Sequence, residues 1–316
     1  MVLSDYVNTF GQAMLNRYGE RVHKLTLNAD FTCPNRDGSK GRGGCTFCNN
    51  VSFNPNGRNP PTISEQLEAG RQVIRKRTGA HKYIAYFQAY TNTYADVTRL
   101  AELYDQALAD PDIIGLSVGT RPDCVPGAVL DLLASYQDQG KEVWLELGLQ
   151  SAWDDTLERV NRGHGFEEYR VAVRNAHARN LQVCTHLIVG LPGETPDHYM
   201  ATLQRVLDLG VEGIKLHPLH VVKGTLLANQ WRRGEYQPLS LDDYIAIACD
   251  MIEHTPMDVI YHRVTATASA SILLAPDWCA KKWDVINRIT REFHRRQTRQ
   301  ESATDTTTLI HEHAGI

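Results

Sequence analysis

The stretch VHKLTLNADFTCPNRDGSKGRGGCTFC, residues 22–48, joins an apolar, strand-forming run to a loop that carries three of the chain's seven cysteines. Its first part, 22–31, mixes β-branched and aromatic residues with polar ones and reads as a β-strand. Its second part starts at Cys33, crosses a segment dense in Gly, Arg and Lys, and closes on Cys45 and Cys48. The C-x-x-C pair can share one metal centre. Gly41, Gly43 and Gly44 let the backbone turn back toward Cys33. Arg36, Lys40 and Arg42 add positive charge, which favours thiolate over thiol. A closed structural zinc site takes four ligands. This loop offers three, and the candidates for a fourth, His23 and Cys124, stand at no motif spacing. Two readings stay open on the loop alone. One is a zinc or iron–sulfur centre with a free coordination position; the other is a structural zinc completed by a distant ligand.

Outward from the loop, the strand-then-turn rhythm recurs. Strand-like runs cover 82–90, 112–120, 142–150, 182–191 and 212–222, each followed by Gly, Pro, Asn or Thr. Amphipathic segments lie between them. The segment 63–77 places Ile63, Leu67 and Ile74 on one face. The segment 126–139 opens on Pro126 and is followed by Gly140, and 195–210 opens on Thr195 and Pro196 and ends at Gly210. Six strand–helix units in series predict a parallel sheet with right-handed crossovers, either open and doubly wound or curled toward a barrel. After Val222 the rhythm breaks into a helix at 239–255, a strand-like run at 258–268 and a helix from about 281 to 300. The expected organisation is an N-terminal helical extension over 1–20, a core over 21–225, a C-terminal α/β extension over 226–300 and a disordered tail over 301–316.

Composition narrows the function classes. A formal net charge of -4 over 316 residues gives no strong overall pull toward nucleic acid or membrane. No apolar run approaches a membrane span. The N-terminus lacks the basic start and continuous apolar run of a secretory signal, so a cytoplasmic protein is expected. Seven cysteines, an odd number, do not form a disulfide framework; a close cluster in a reducing compartment binds metal or does redox chemistry.

Three more motifs fall where strands should end: ELGLQSAWDDTLERVNRGH (146–164), HLIVGLPGET (186–195) and KLHPLHVVKGT (215–225). With these and the cysteine loop, the chain resembles the radical S-adenosylmethionine (SAM) superfamily over roughly residues 20–270. Within it the chain looks most like the YhcC-type branch, related to the radical SAM domain of the Elongator catalytic subunit. The resemblance implies a partial (βα)6 TIM-like barrel. It also implies a [4Fe-4S] cluster on Cys33, Cys45 and Cys48, with the fourth iron left for SAM. Phe47 then lies near the adenine, and Gln150 and Arg162 match a pair of which the Arg meets the SAM carboxylate. Glu146 and His186 fall where ribose is contacted, and Gly190 in the glycine motif beside the adenine. Leu216, His217 and Leu219 sit on a strand whose backbone meets the adenine edge.

Two departures stand out. The gap between Cys33 and Cys45 is eleven residues rather than the commonest three, which points to the Elongator-like branch. The usual Gly-Gly-Glu after the second strand is replaced by Gln88 to Thr93, where Gln88, Thr91 and Asn92 are candidates near the SAM amino group.

The implied reaction is reductive cleavage of SAM to a 5′-deoxyadenosyl radical that takes hydrogen from a substrate, fed by a flavodoxin- or ferredoxin-type electron donor. The related branch suggests tRNA or another RNA as substrate. Arg291, His294, Arg295, Arg296 and Arg299 form a basic segment that either touches phosphates or is a solvated helix face; the acidic overall balance favours the latter. Cys184 reads as core, and Cys124 as a small buried residue near the site, while a role for Cys279 stays open. Thr120 and Arg121 point to the same edge as candidates for holding substrate or SAM. The alternative function is a non-catalytic, zinc-stabilised nucleic-acid-binding or interaction module.

Overall fold

The computed structural model describes residues 1–49 and 60–303. Six strands follow one another: Val22–Leu27 (β1), Lys82–Phe87 (β2), Ile113–Thr120 (β3), Glu142–Gln150 (β4), Gln182–Val189 (β5) and Gly213–Pro218 (β6). Each pairs parallel with the one before it. Three short strands come after: Val221–Val222 (β7), Ile260–Arg263 (β8) and Leu273–Ala275 (β9). β8 pairs parallel with β6, so the run at 258–268 supplies a seventh strand to the sheet. β7 and β9 form a separate antiparallel pair. The single run expected over 212–222 is therefore split: β6 ends at Pro218, which has no N–H to give a ladder.

The helices are Phe10–Tyr18 (α1), Ile63–Thr78 (α2), Val97–Leu108 (α3), Gly127–Asp138 (α4), Asp154–Arg159 (α5), Phe166–His177 (α6), Pro196–Leu207 (α7), Leu226–Arg232 (α8), Leu241–Glu253 (α9) and Lys282–Arg296 (α10). The strand order β1-β2-β3-β4-β5-β6-β8 never reverses. A doubly wound sheet needs such a reversal. A strictly serial sheet keeps its helices on one face and curls around the other, and this one is a partial barrel with β1 and β8 as its free edges. The expected tail at 301–316 lies, from 304 on, outside the described residues.

The two faces of the sheet differ in kind. Outward residues such as Leu27, Phe87, Val118 and Leu145 are fully buried under the helices. Inward residues stack in layers. At the N-terminal end of the strands, Phe10 and Met14 of α1 pack with Ile84, Trp144, Cys184 and Ile260. Cys184 is thus core, as expected. Arg17 fixes this plug by donating to both carboxylate oxygens of Glu142 at 2.6 and 2.8 Å. The layer above is charged. Lys24 donates to Glu146 at 2.5 Å and to Ser117 at 3.0 Å, and Lys215 reaches the other oxygen of Glu146 and donates to the Tyr86 hydroxyl at 2.9 Å. Above that layer, at the carboxyl ends of the strands, the interior opens.

Candidate active site

The opening is a cavity lined by Cys33, Cys45 and Cys48 together with residues from the ends of β2 to β6. The cysteine loop is fastened over it from three sides. Asn35 donates to the Asn161 carbonyl at 2.5 Å, and Asn161 donates to the Gly44 carbonyl at 2.8 Å. Arg36 donates to the Cys48 carbonyl at 2.6 Å. Lys40 pairs with Asp123 at 2.7 Å; Asp123 in turn holds Arg121 at 2.9 Å, and Arg121 donates to the Arg162 carbonyl at 2.8 Å. The basic loop residues Arg36 and Lys40 are therefore ties. The glycines let those ties approach: at Gly44, φ is +79° and an added Cβ would stand 2.7 Å from the Arg36 side chain.

Charge in the cavity is mostly positive. Arg162 donates to the Gly148 carbonyl at 2.5 Å, and its other terminal nitrogen lies 3.4 Å from the Cys45 sulfur. Its Nε is buried with no partner among the described residues, as is Nε2 of His217. Burial, then the neighbouring Cys45, push the Cys48 thiol up to about 11, against the pull of Arg36 and Arg162. A cationic centre bound there would favour the thiolate form of Cys48. Among the described residues no three His, Cys, Asp or Glu groups are gathered so as to hold a single metal ion.

The "Radical SAM superfamily" profile matches residues 37–206, and that of the "Radical_SAM C-terminal domain" residues 211–295. The chain belongs to the radical SAM superfamily. Protein YhcC of Escherichia coli K12 is 54% identical over 283 residues, which cover 90% of this chain and 91% of that protein. The tRNA uridine(34) acetyltransferase of Dehalococcoides mccartyi is 29% identical over 165 residues, 51% of this chain but 35% of that protein. The archaeal Methanocaldococcus infernus Elp3 with its N-terminus deleted superposes with a TM-score of 0.65 at 18% identity, covering 88% of this chain and 64% of that one.

In this radical SAM enzyme, Phe47, Gln88, Thr91, Gln150, Arg162, His186 and His217 all line the cysteine cavity, as do Thr120 and Arg121. Gln150 gets there through a bulge in β4 and a φ of +81°. Gly148 beside it must stay small, since a Cβ would lie 2.7 Å from the Gln150 amide and 2.8 Å from Arg162. Asn92 does not line the cavity; its amide donates to the Gly119 carbonyl at 2.7 Å.

Four more expected residues sit elsewhere, among them Leu216, which is fully buried in the core. Gly190 and Leu219 pack together in the apolar cluster that backs Phe47, and the Gly190 carbonyl accepts from Tyr236 at 2.8 Å. Glu146, expected to face ribose, is fully buried one layer below, because lysines from β1 and β6 and His186 at 2.7 Å all claim its carboxylate. Neither His23 nor Cys124 lines this cavity, so neither is drawn up as a fourth ligand. Burial pushes the Cys124 thiol up to about 12, and Cys279 is buried. Tyr86 and Tyr90 line the cavity without a motif to announce them; Tyr90 takes a φ of +65°, uncommon for an aromatic residue.

Of the basic segment, the two arginines in the last turn of α10 are neutralised. Arg295 donates to both oxygens of Glu292, and Arg296 reaches Glu292, Asp250 and Glu253. Among the described residues no helix is long and apolar enough to cross a membrane.

Proposed function

We propose that Cys33, Cys45 and Cys48 hold a [4Fe-4S] cluster, that SAM binds beside it, and that the enzyme takes hydrogen from a nucleoside of tRNA. The observation that carries this reading is the gathering of three cysteines, Gln150 and Arg162 around one cavity at the carboxyl ends of a serial parallel sheet. When bound, the cluster and SAM supply one-electron cleavage of a carbon–sulfur bond, giving methionine and a 5′-deoxyadenosyl radical. The chain's part is to bind, orient and exclude water. Arg162 offers its guanidinium to the SAM carboxylate, with Gly148 and Cys45 keeping it aimed. Phe47, backed by the Leu219 cluster, offers a face to the adenine. Gln88 and Thr91 offer polar groups to the amino end, and His186 and His217, with ring centroids 5.5 Å apart, close the far wall. A flavodoxin- or ferredoxin-type donor supplies the electron, and a cytoplasmic setting suits an odd count of seven cysteines. The tRNA half of the reading is supported by the likeness to the tRNA uridine(34) acetyltransferase, of which this chain spans about a third.

Anaerobic purification should give a brown protein with iron and sulfide, and reduction with SAM should release 5′-deoxyadenosine. Cys45→Ala should abolish that release. A colourless protein holding one tight zinc per chain would sink the cluster reading. Nucleoside profiles of tRNA from deletion and parent strains test the substrate; identical profiles would remove tRNA.

A further inference from the structure

A second cavity runs along the seam between the two free edges of the sheet. It has a volume of about 700 Å³ and is lined by β1, β8, the N-terminal segment and the first turns of α10. That volume suits a small ligand. Its lining includes Arg21, Lys24, Lys215, Arg263 and Lys282, and not one Asp or Glu. Glu146, the nearest compensation, is used by Lys24 and Lys215. Arg263 stands opposite Lys215 in the β6–β8 register and makes no hydrogen bond or ion pair among the described residues. Arg21 and Lys282 also have no carboxylate partner there. Burial, then Arg263 and Arg77, hold the Lys282 ammonium below its ordinary range. As whole residues Arg21 and Lys282 are exposed and Arg263 is half-buried, so these like charges meet at the rim of the cavity, and an anionic ligand there relieves their repulsion. The arrangement contrasts with the last turn of α10, where Arg295 and Arg296 both have carboxylate partners.

Aromatic faces accompany the charge. Trp283 is 66% exposed at the rim and offers a free face, while the rings of Phe10 and Tyr86 within are already covered by Lys24 and Lys215. Basic groups interleaved with aromatic faces suit a nucleotide, phosphate on the cations and base on a ring. Tyr86 lines both this cavity and the cysteine cavity.

We infer that the seam cavity binds a nucleotide phosphate, with Arg263 and Lys282 as its anion clamp. This rests on the radical SAM reading for its purpose, but its test does not. Anaerobically purified full-length protein, without SAM, is titrated with inorganic pyrophosphate by calorimetry. The wild type should bind, and Arg263→Gln and Lys282→Gln should each weaken binding by about tenfold. Arg295→Gln, in the neutralised last turn, should change nothing. Competition by mixed 5′-mononucleotides would assign the phosphate to a free nucleotide, and competition by bulk tRNA to one within RNA. Absence of pyrophosphate binding, equal binding by both clamp variants, or competition by neither nucleotide source would overturn the inference. Release of 5′-deoxyadenosine by the wild type is scored separately, so the two readings can fail independently.

Discussion

Lys24 and Lys215 stand on the first and sixth strands of the sheet, yet both ammonium groups reach Glu146 inside the curl. Glu146→Gln keeps the shape and removes the charge, leaving two buried lysines without a counter-ion. Breaking a buried pair in this way costs about 3–5 kcal/mol. The urea midpoint should fall accordingly, and an unchanged midpoint would mean that water already reaches this layer. Lys215 carries a second prediction. One carboxylate cannot neutralise two ammonium groups, so burial lowers Lys215 from 10.5 to about 7, with Glu146 opposing and Lys24 assisting. Between these values the unfolded chain holds a proton that the folded chain lacks. Unfolding then takes up a proton, and stability rises with pH across that window, by up to about 1.4 kcal/mol per pH unit. Below about pH 7 the full penalty is present. Lys215→Met should remove this slope in urea titrations at pH 7, 8 and 9; parallel slopes in the two proteins would refute the assignment.

At the scale of elements, the cysteine loop is a strap held by asparagine amides. Asn35→Ala removes the 2.5 Å bond to the Asn161 carbonyl and the amide that lies 3.8 Å from the Cys45 sulfur. The barrel should lose only about 1 kcal/mol. Amides of the loop should exchange faster with solvent while those of β4 keep their protection, and iron should be retained less well after reconstitution. Equal protection in the loop would show that the backbone ties suffice. The same contrast explains what was legible in the sequence. Strands covered on both faces read as short apolar runs, so LELGL in β4 announced itself. Cys33, Cys45 and Cys48 share one loop and were found by spacing, whereas Gln150 and Arg162 came from the family resemblance. The partners of Glu146 were found by neither, because only the curl of the sheet carries β1 across to β6. Yet a charged residue in a strand covered on both faces must be buried, and KLT in β1 and IKLH in β6 carried that signal unread. β8 was harder to place, because α8, α9 and the β7 excursion separate it from β6.

At the scale of the molecule, the partial barrel leaves β8 as a free edge, and unpaired edges invite association. Here the two ends of the described chain cover it. The Tyr261 amide donates to the Asn8 carbonyl at 2.8 Å, and the Gln300 amide donates to the Tyr6 carbonyl at 2.9 Å. Gln300, 1% exposed, is the clasp. Its side-chain oxygen accepts from the Asn8 amide at 2.8 Å, and its nitrogen donates to the Pro256 and Val259 carbonyls at 2.6 and 2.8 Å. Gln300→Ala leaves three buried backbone groups without those partners, a loss of about 2–3 kcal/mol. The effect should not stop at the clasp. Thr9, Phe10 and Gln12 form one wall of the seam cavity and Tyr261 to Thr265 another, so loosening Asn8 loosens the mouth between them. Hydrogen exchange should therefore rise from Tyr6 to Phe10 and along β8 while the amides of β3 and β4 stay protected. A fall in stability spread evenly over all strands would show instead that the ends are part of one cooperative core, and that the seam is no weaker than the rest of the barrel.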